Sequence, residues 1–156
     1  MNFLFNIFFY ISIIPIFSYS IVQVSNCGVY SDIGEYYNLS QDISSTSSCI
    51  SITSVNITFN CNNFLISGDL GSNDVGFRLL SDNSTILNCN IQNFGTGINA
   101  QSSNFHTFIN SSSYNNSNKG FNLGGDNNTL LNIESYSNLN DGIYIFGDNN
   151  ILNNII

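Results

Sequence analysis

The sequence predicts an all-β chain wound as a right-handed parallel β-helix of about 22 residues per coil. The first observation is a unit that recurs five times: a small residue, an apolar residue, any residue, a second apolar residue, and Asn four positions later. The copies are Cys49-Ile50-Ser51-Ile52 to Asn56, Gly76-Phe77-Arg78-Leu79 to Asn83, Gly97-Ile98-Asn99-Ala100 to Asn104, Gly120-Phe121-Asn122-Leu123 to Asn127, and Gly142-Ile143-Tyr144-Ile145 to Asn149. The second is the period: the Asn residues step by 27, 21, 23 and 22, and Thr85, Thr107, Thr129 and Ile151 follow at a constant 22. The third is the alternation of apolar and polar residues inside each unit, which marks a strand with one buried and one wet face. A fixed period of this size in strand-like sequence is that of a solenoid.

Residues 1–20 are of a different kind. Phe3 to Phe17 is almost wholly apolar, broken by Asn6 and Pro15, and Ser18-Tyr19-Ser20 puts small residues at both positions a signal peptidase reads. The segment reads as a signal peptide, although its n-region lacks Lys and Arg. Its rival is an uncleaved anchor over residues 3–19, shorter than the roughly 20 apolar residues a spanning helix needs. Both readings export the chain, to a secreted, cell-surface or membrane-anchored location.

Each later period carries two further strand-like stretches, such as Asn128 to Leu131 and Ile133 to Tyr136, separated by Asn, Gly, Asp and Ser. Those residues tolerate positive φ or bond their own backbone at turns. Three short strands per turn, with no helix-length apolar period, fit a parallel β-helix. One coil cannot bury its own apolar face, so coils stack at about 4.8 Å, with Ile50, Ile52, Phe77, Leu79, Ile98, Ala100, Phe121, Leu123, Ile143 and Ile145 pointing inward. Asn60, Asn88, Asn110, Asn132 and Asn154 then fall in one corner column, where amides can bond rung to rung and Asn accepts the left-handed conformation.

The run Asn127-Asn128-Thr129-Leu130-Leu131-Asn132, with Asp141-Gly142-Ile143-Tyr144-Ile145 after it, resembles the coils of the right-handed parallel β-helix repeat proteins of the pectate-lyase-like superfamily. The resemblance covers about residues 27 to 156. It implies a fold and no single activity, because the superfamily includes lyases, hydrolases, epimerases, adhesins and surface proteins. It also implies that Gly34 to Ile43 is the strand that precedes the coils, which makes residues 21–48 an N-terminal cap segment and residues 49–156 the coils. The stop at Asn153-Asn154-Ile155-Ile156, without a polar cap, reads as a solenoid truncated at the C-terminus or docked there.

Two basic residues, Arg78 and Lys119, stand against ten acidic ones. Such a balance excludes nucleic acid and anionic membrane surfaces as partners and leaves polysaccharide or surface proteins. The membrane enters only through the N-terminal segment. Four cysteines in an exported chain read as disulfides. Cys27 with Cys49 would staple the cap to the first coil, whereas Cys61 and Cys89, each following an equivalent Asn, are either a bridge between neighbouring coils or two stacked thiols. His106 is the single histidine, which excludes a His-rich metal site and leaves no Ser-His or Cys-His pair. It lies where the coil spacing slips by one, between Asn104 and Thr107, and is expected as an exposed bulge residue.

No catalytic residue and no cofactor is assigned. A lyase or epimerase on this scaffold would present Lys, Arg or His with carboxylates on one face, whereas the outward row Ser51, Arg78, Asn99, Asn122 and Tyr144 holds no carboxylate. That row is the candidate ligand track, with amides, a hydroxyl and a guanidinium for hydrogen bonds and Tyr144 for an aromatic face. Asp69 and Asp74, in the long loop Ser67 to Asp74, form with Arg78 the one acid and base cluster. Asp126 and Asp148 are a candidate Ca²⁺ pair on adjacent coils. Six Asn-x-Ser/Thr sequons, at Asn38, Asn56, Asn83, Asn110, Asn115 and Asn127, permit glycosylation. The expected function is an exported cell-surface module, structural or carbohydrate-interacting and not itself an enzyme. The alternatives are a fragment of a polysaccharide lyase, hydrolase or epimerase with its catalytic coils beyond Ile156, or an adhesin repeat.

Overall fold

The computed structural model describes residues 21–156, so the signal-peptide reading of residues 1–20 lies outside the described residues. Sixteen strands follow in order. They are β1 (Ile21–Val24), β2 (Gly28–Tyr30), β3 (Tyr36–Leu39), β4 (Ile43–Ser44), β5 (Ile50–Ile52), β6 (Thr58–Asn60), β7 (Leu65–Ser67) and β8 (Val75–Leu79). The rest are β9 (Thr85–Leu87), β10 (Asn90–Gln92), β11 (Thr96–Ala100), β12 (Thr107–Tyr114), β13 (Lys119–Leu123), β14 (Thr129–Tyr136), β15 (Ile143–Ile145) and β16 (Ile151–Ile155). No described residue is helical.

Every pairing is parallel, which makes the chain a parallel β-helix. One sheet runs β2-β5-β8-β11-β13-β15, a strand from each of six turns. The other sheet holds the remaining strands, in two columns that fuse where β12 and β14 run on as single eight-residue strands. Bends at Asn110 (φ 49°) and Asn132 (φ 55°) let those long strands round the corner. Register follows the period: Thr85, Thr107, Thr129 and Ile151 pair in succession.

The inward set is as the alternation requires. Ile50, Ile52, Phe77, Leu79, Ile98, Ala100, Phe121 and Leu123 are all buried. Aromatic rings interlock across coils, Phe59 against Phe77 at 5.2 Å and Phe108 against Phe121 at 5.8 Å, both edge to face. Ile143 and Ile145 are half-buried, because β15 has a paired strand on one side only. The corner amides form the expected ladder, each Nδ2 donating to the Oδ1 of the preceding coil: Asn88 to Asn60, Asn110 to Asn88, Asn132 to Asn110 and Asn154 to Asn132.

The small residue that opens each unit has a steric cause. Gly76, Gly97, Gly120 and Gly142 stack in a column that begins with Cys27 and Cys49, and a Cβ on Gly120 would meet Gly142 O at 2.5 Å. The first two members are joined as a disulfide, Cα to Cα 4.6 Å. Cys61 and Cys89 are also a disulfide, at 4.8 Å, which resolves the open alternative in favour of the bridge.

In residues 21–48, β2 pairs with β5 and β3 with β6 in the ordinary register. Two expectations are corrected. Asn104 is not equivalent to Asn83 and Asn127. Backbone bonds from Asn83 N to Asn104 O, and from Phe105 N to Asp126 O, put Phe105 (φ 60°) in the left-handed column of Gly34, Asn56, Asn83, Asn127 and Asn149. Finally, His106 is fully buried rather than an exposed bulge.

Candidate functional site

The row proposed from sequence exists. Ser51 pairs with Arg78, Arg78 with Asn99, Asn99 with Asn122 and Asn122 with Tyr144, one per coil on the outside of the six-stranded sheet. Arg78, Asn99 and Asn122 line a groove of about 370 Å³, walled by Ser72 and Asn73 of the long loop and by Asn118. Ser51 and Tyr144 extend the row beyond the groove at either end. The loop is held over the sheet by backbone bonds from Thr96 N to Asp74 O and from Leu70 N to Asn93 O.

Polar groups in this groove are left without protein partners. The Arg78 guanidinium makes no hydrogen bond or ion pair among the described residues, and Asn122 Oδ1 is buried without a donor. A buried acceptor left unpaired costs about 1–3 kcal/mol. Asn99 differs, because its Oδ1 accepts from Gln101 N at 3.1 Å.

Asp69 and Asp74 do not join Arg78. Asp69 lies beside a separate hollow with Ser44, Ser45 and Thr46, and its Oδ1 accepts from Gly71 N. The ion pair among the described residues is Lys119 with Asp141, at 3.6 Å. Sequence reasoning missed Lys119, which sits on the same sheet as Arg78, with its ammonium 4.8 Å from the centre of the Tyr144 ring. The Tyr144 ring thus lies between that cation and Phe146, whose ring centre is 5.6 Å away. Register would have found it, since Lys119 falls opposite Thr96, which lines the groove.

Of the two candidate Ca²⁺ aspartates, Asp126 has a backbone partner for its carboxylate and Asp148 has none among the described residues. Asp82 Oδ1 accepts from Asn104 N (2.8 Å), Asn104 Oδ1 from Asp126 N (2.9 Å), and Asp126 Oδ1 from Asp148 N (2.7 Å). Backbone N–H groups thus stand between the stacked carboxylates and offset their repulsion. Among the described residues no three His, Cys, Asp or Glu side chains gather where they could hold a metal ion.

His106 belongs to the next column inward, with Ser84, Asn128 and Asn150. Its Nδ1 accepts from Ser84 N (3.2 Å), while its own N–H donates to Asn128 Oδ1 (2.8 Å) and Asn128 N–H to Asn150 Oδ1 (2.7 Å). Because Nδ1 accepts, the neutral ring carries its proton on Nε2, which donates to Ser103 Oγ at 2.8 Å, and Ser103 donates onward to Leu79 O. Asn128 spans the same offset, its Nδ2 donating to Gly125 O. Burial pushes the His106 pKa down from 6.5 to about 4, against an opposing pull from Asp82. The ring is a structural substitute for Asn and faces no groove.

Comparison of the chain with protein-family models, with curated proteins and with solved structures finds no match. No helix among the described residues is long and apolar enough to cross a membrane.

Proposed function

We propose that this chain is an exported β-helix repeat module of the cell surface, of the pectate-lyase-like type, that holds an extended saccharide along the Ser51-to-Tyr144 row without turning it over. The observation that carries this reading is the groove at Arg78, Asn99 and Asn122, where a guanidinium and a buried carbonyl oxygen have no protein partners. A sugar chain supplies oxygen acceptors to the guanidinium and hydroxyl donors to the outward amide of Asn99, and its pyranose face packs on the exposed part of Tyr144. Two disulfides favour an oxidising compartment, in keeping with export. The reading without turnover is supported by Arg78 making no ion pair with Asp69 or Asp74 among the described residues and by the single imidazole being enclosed in the core. An acid or base must reach the proton it moves.

The test is calorimetric titration of the purified chain with neutral and acidic oligosaccharides, beside an assay for new reducing ends or unsaturated products. Arg78→Ala should weaken binding by about 10- to 100-fold, as for a charge-assisted hydrogen bond worth about 1.5–3 kcal/mol. Tyr144→Ala should weaken it less, and no product should form. Binding indifferent to both substitutions would dismiss the track. Product release lost in Arg78→Ala would make the groove an active site.

A further inference from the structure

We infer that Asn127 is an N-glycosylation site whose first sugar packs on the Phe105 ring one coil below. Six sequons occur, and the fold sorts them. Asn83 Nδ2 donates to Asn56 Oδ1, Asn110 is bonded on both sides within the amide ladder, and Asn38 Oδ1 is buried. A glycan on Asn110 Nδ2 would have to occupy the space of the Asn88 amide, one rung of about 4.8 Å away. Asn115 and Asn127 are exposed and make no side-chain hydrogen bond among the described residues. Among the sequons, Asn127 is the one whose column holds an exposed aromatic residue on the preceding coil.

That residue is Phe105. It is 54 % exposed and stands at φ 60°, a conformation that Asn or Gly takes at the equivalent position of every other coil. Left-handed φ costs a bulky side chain about 1–2 kcal/mol, and solvent exposure of the ring returns none of it. In the corner ladder each side-chain donor faces the preceding coil, and in the left-handed column Asn83 does the same. At Asn127 the preceding coil offers a ring in place of a carbonyl oxygen, so Nδ2 is left free for substitution. A sugar attached there lies over the ring with its apolar C–H face down, which explains the exposed, strained aromatic and the unbonded amide together.

The covalent step is group transfer from a polyprenyl-diphosphate oligosaccharide. Asn127 Nδ2 attacks C1 of the first sugar, the N–C1 bond forms, and the C1–O bond to phosphate breaks with its electron pair leaving on the diphosphate. The transferase takes the Nδ2 proton. Thr129 completes the sequon as the first residue of β14, and Asn128 between them is buried with its amide already bonded. This inference rests on the proposed export, so the test reads the two separately.

The full chain is translated with microsomes that hold an oligosaccharyltransferase, and protease protection reports export. Peptide-N-glycosidase treatment followed by peptide mass mapping reports Asn127, which becomes Asp where a glycan was attached. Protected chain carrying the glycan at Asn127 and none at Asn110, with loss in Thr129→Val, supports the site. Protected, folded chain without it overturns the site and leaves export standing. Unprotected chain sinks export instead, and the full chain behind a leader of known efficiency then decides: a glycan at Asn127 in the disulfide-bonded fraction supports the site, and its absence overturns it. For the ring, enzymatic deglycosylation should lower the melting temperature of the wild type and leave that of Phe105→Ala unchanged. Equal losses in both would overturn the packing.

Discussion

Acid should weaken this fold through His106, and the effect can be sized. The ring is buried with its pKa lowered from 6.5 to about 4, so between those values the unfolded chain binds a proton that the folded chain refuses. Stability therefore rises with pH across that window; the contribution is complete above pH 6.5 and lost as pH falls through about 4. The gap corresponds to about 3 kcal/mol at 1.36 kcal/mol per pH unit, a large share of the few kcal/mol by which domains of this size are stable. Structurally, protonating Nδ1 removes the acceptor of Ser84 N–H and sets two donors face to face. His106→Asn restores the residue type of the next two coils and does not titrate. Urea unfolding at intervals between pH 3.5 and 7.5 should show the wild type losing about 3 kcal/mol more than His106→Asn toward acid. Carboxylate titration is common to both chains and cancels in the difference. Parallel curves would refute the buried, neutral ring as the cause.

Two further outcomes follow from the register and the staples. Phe121→Asp should destabilise by more than about 4 kcal/mol, since it buries an unpaired charge, whereas Asn99→Asp on the outward face, which keeps the bond from Gln101 N, should change stability by about 1 kcal/mol or less. Equal losses on thermal melting would place both residues on the wrong faces. Replacing Cys61 and Cys89 together by Ala should cost about 3–4 kcal/mol, the chain entropy of a loop closed over 28 residues. An unchanged denaturation midpoint would show that the bridge constrains nothing.

The fold was legible because each coil must satisfy the same rung-to-rung demands. A spacing of 22 at Thr85, Thr107 and Thr129 is a register of parallel pairing seen in sequence, and the Asn column is a hydrogen-bond ladder seen in sequence. The errors came where residue type stood in for position. Matching Asn104 to Asn83 and Asn127 follows the letter. Counting 22 from Asn83 and Ser84 places Phe105 in the left-handed column and His106 in the buried one. Lys119 escaped because its side chain acts across a strand, over Tyr144, and not within the row it flanks. The groove was only half legible: the row could be written down, but its depth comes from how the long loop rests on the sheet.

The columns also explain why the ligand is harder to read than the fold. Inward and corner positions repeat because a neighbour one rung away must be packed or bonded: Phe77, Ile98 and Phe121 inside, Asn88, Asn110 and Asn132 at the corner. Where the residue changes in such a column, the bonding pattern is kept, as His106 keeps the accept-and-donate geometry of Asn128. The outward row obeys no such demand. Val29, Ser51, Arg78, Asn99, Asn122 and Tyr144 change chemical type at almost every coil while their backbones stay paired. A surface that only had to remain soluble would be satisfied by any polar residue there. The chain instead places both of its cations on this one sheet, although acidic residues outnumber them ten to two. Positive charge concentrated on this sheet, beside the outward amides of Asn99 and Asn122, is what the proposed saccharide track rests on.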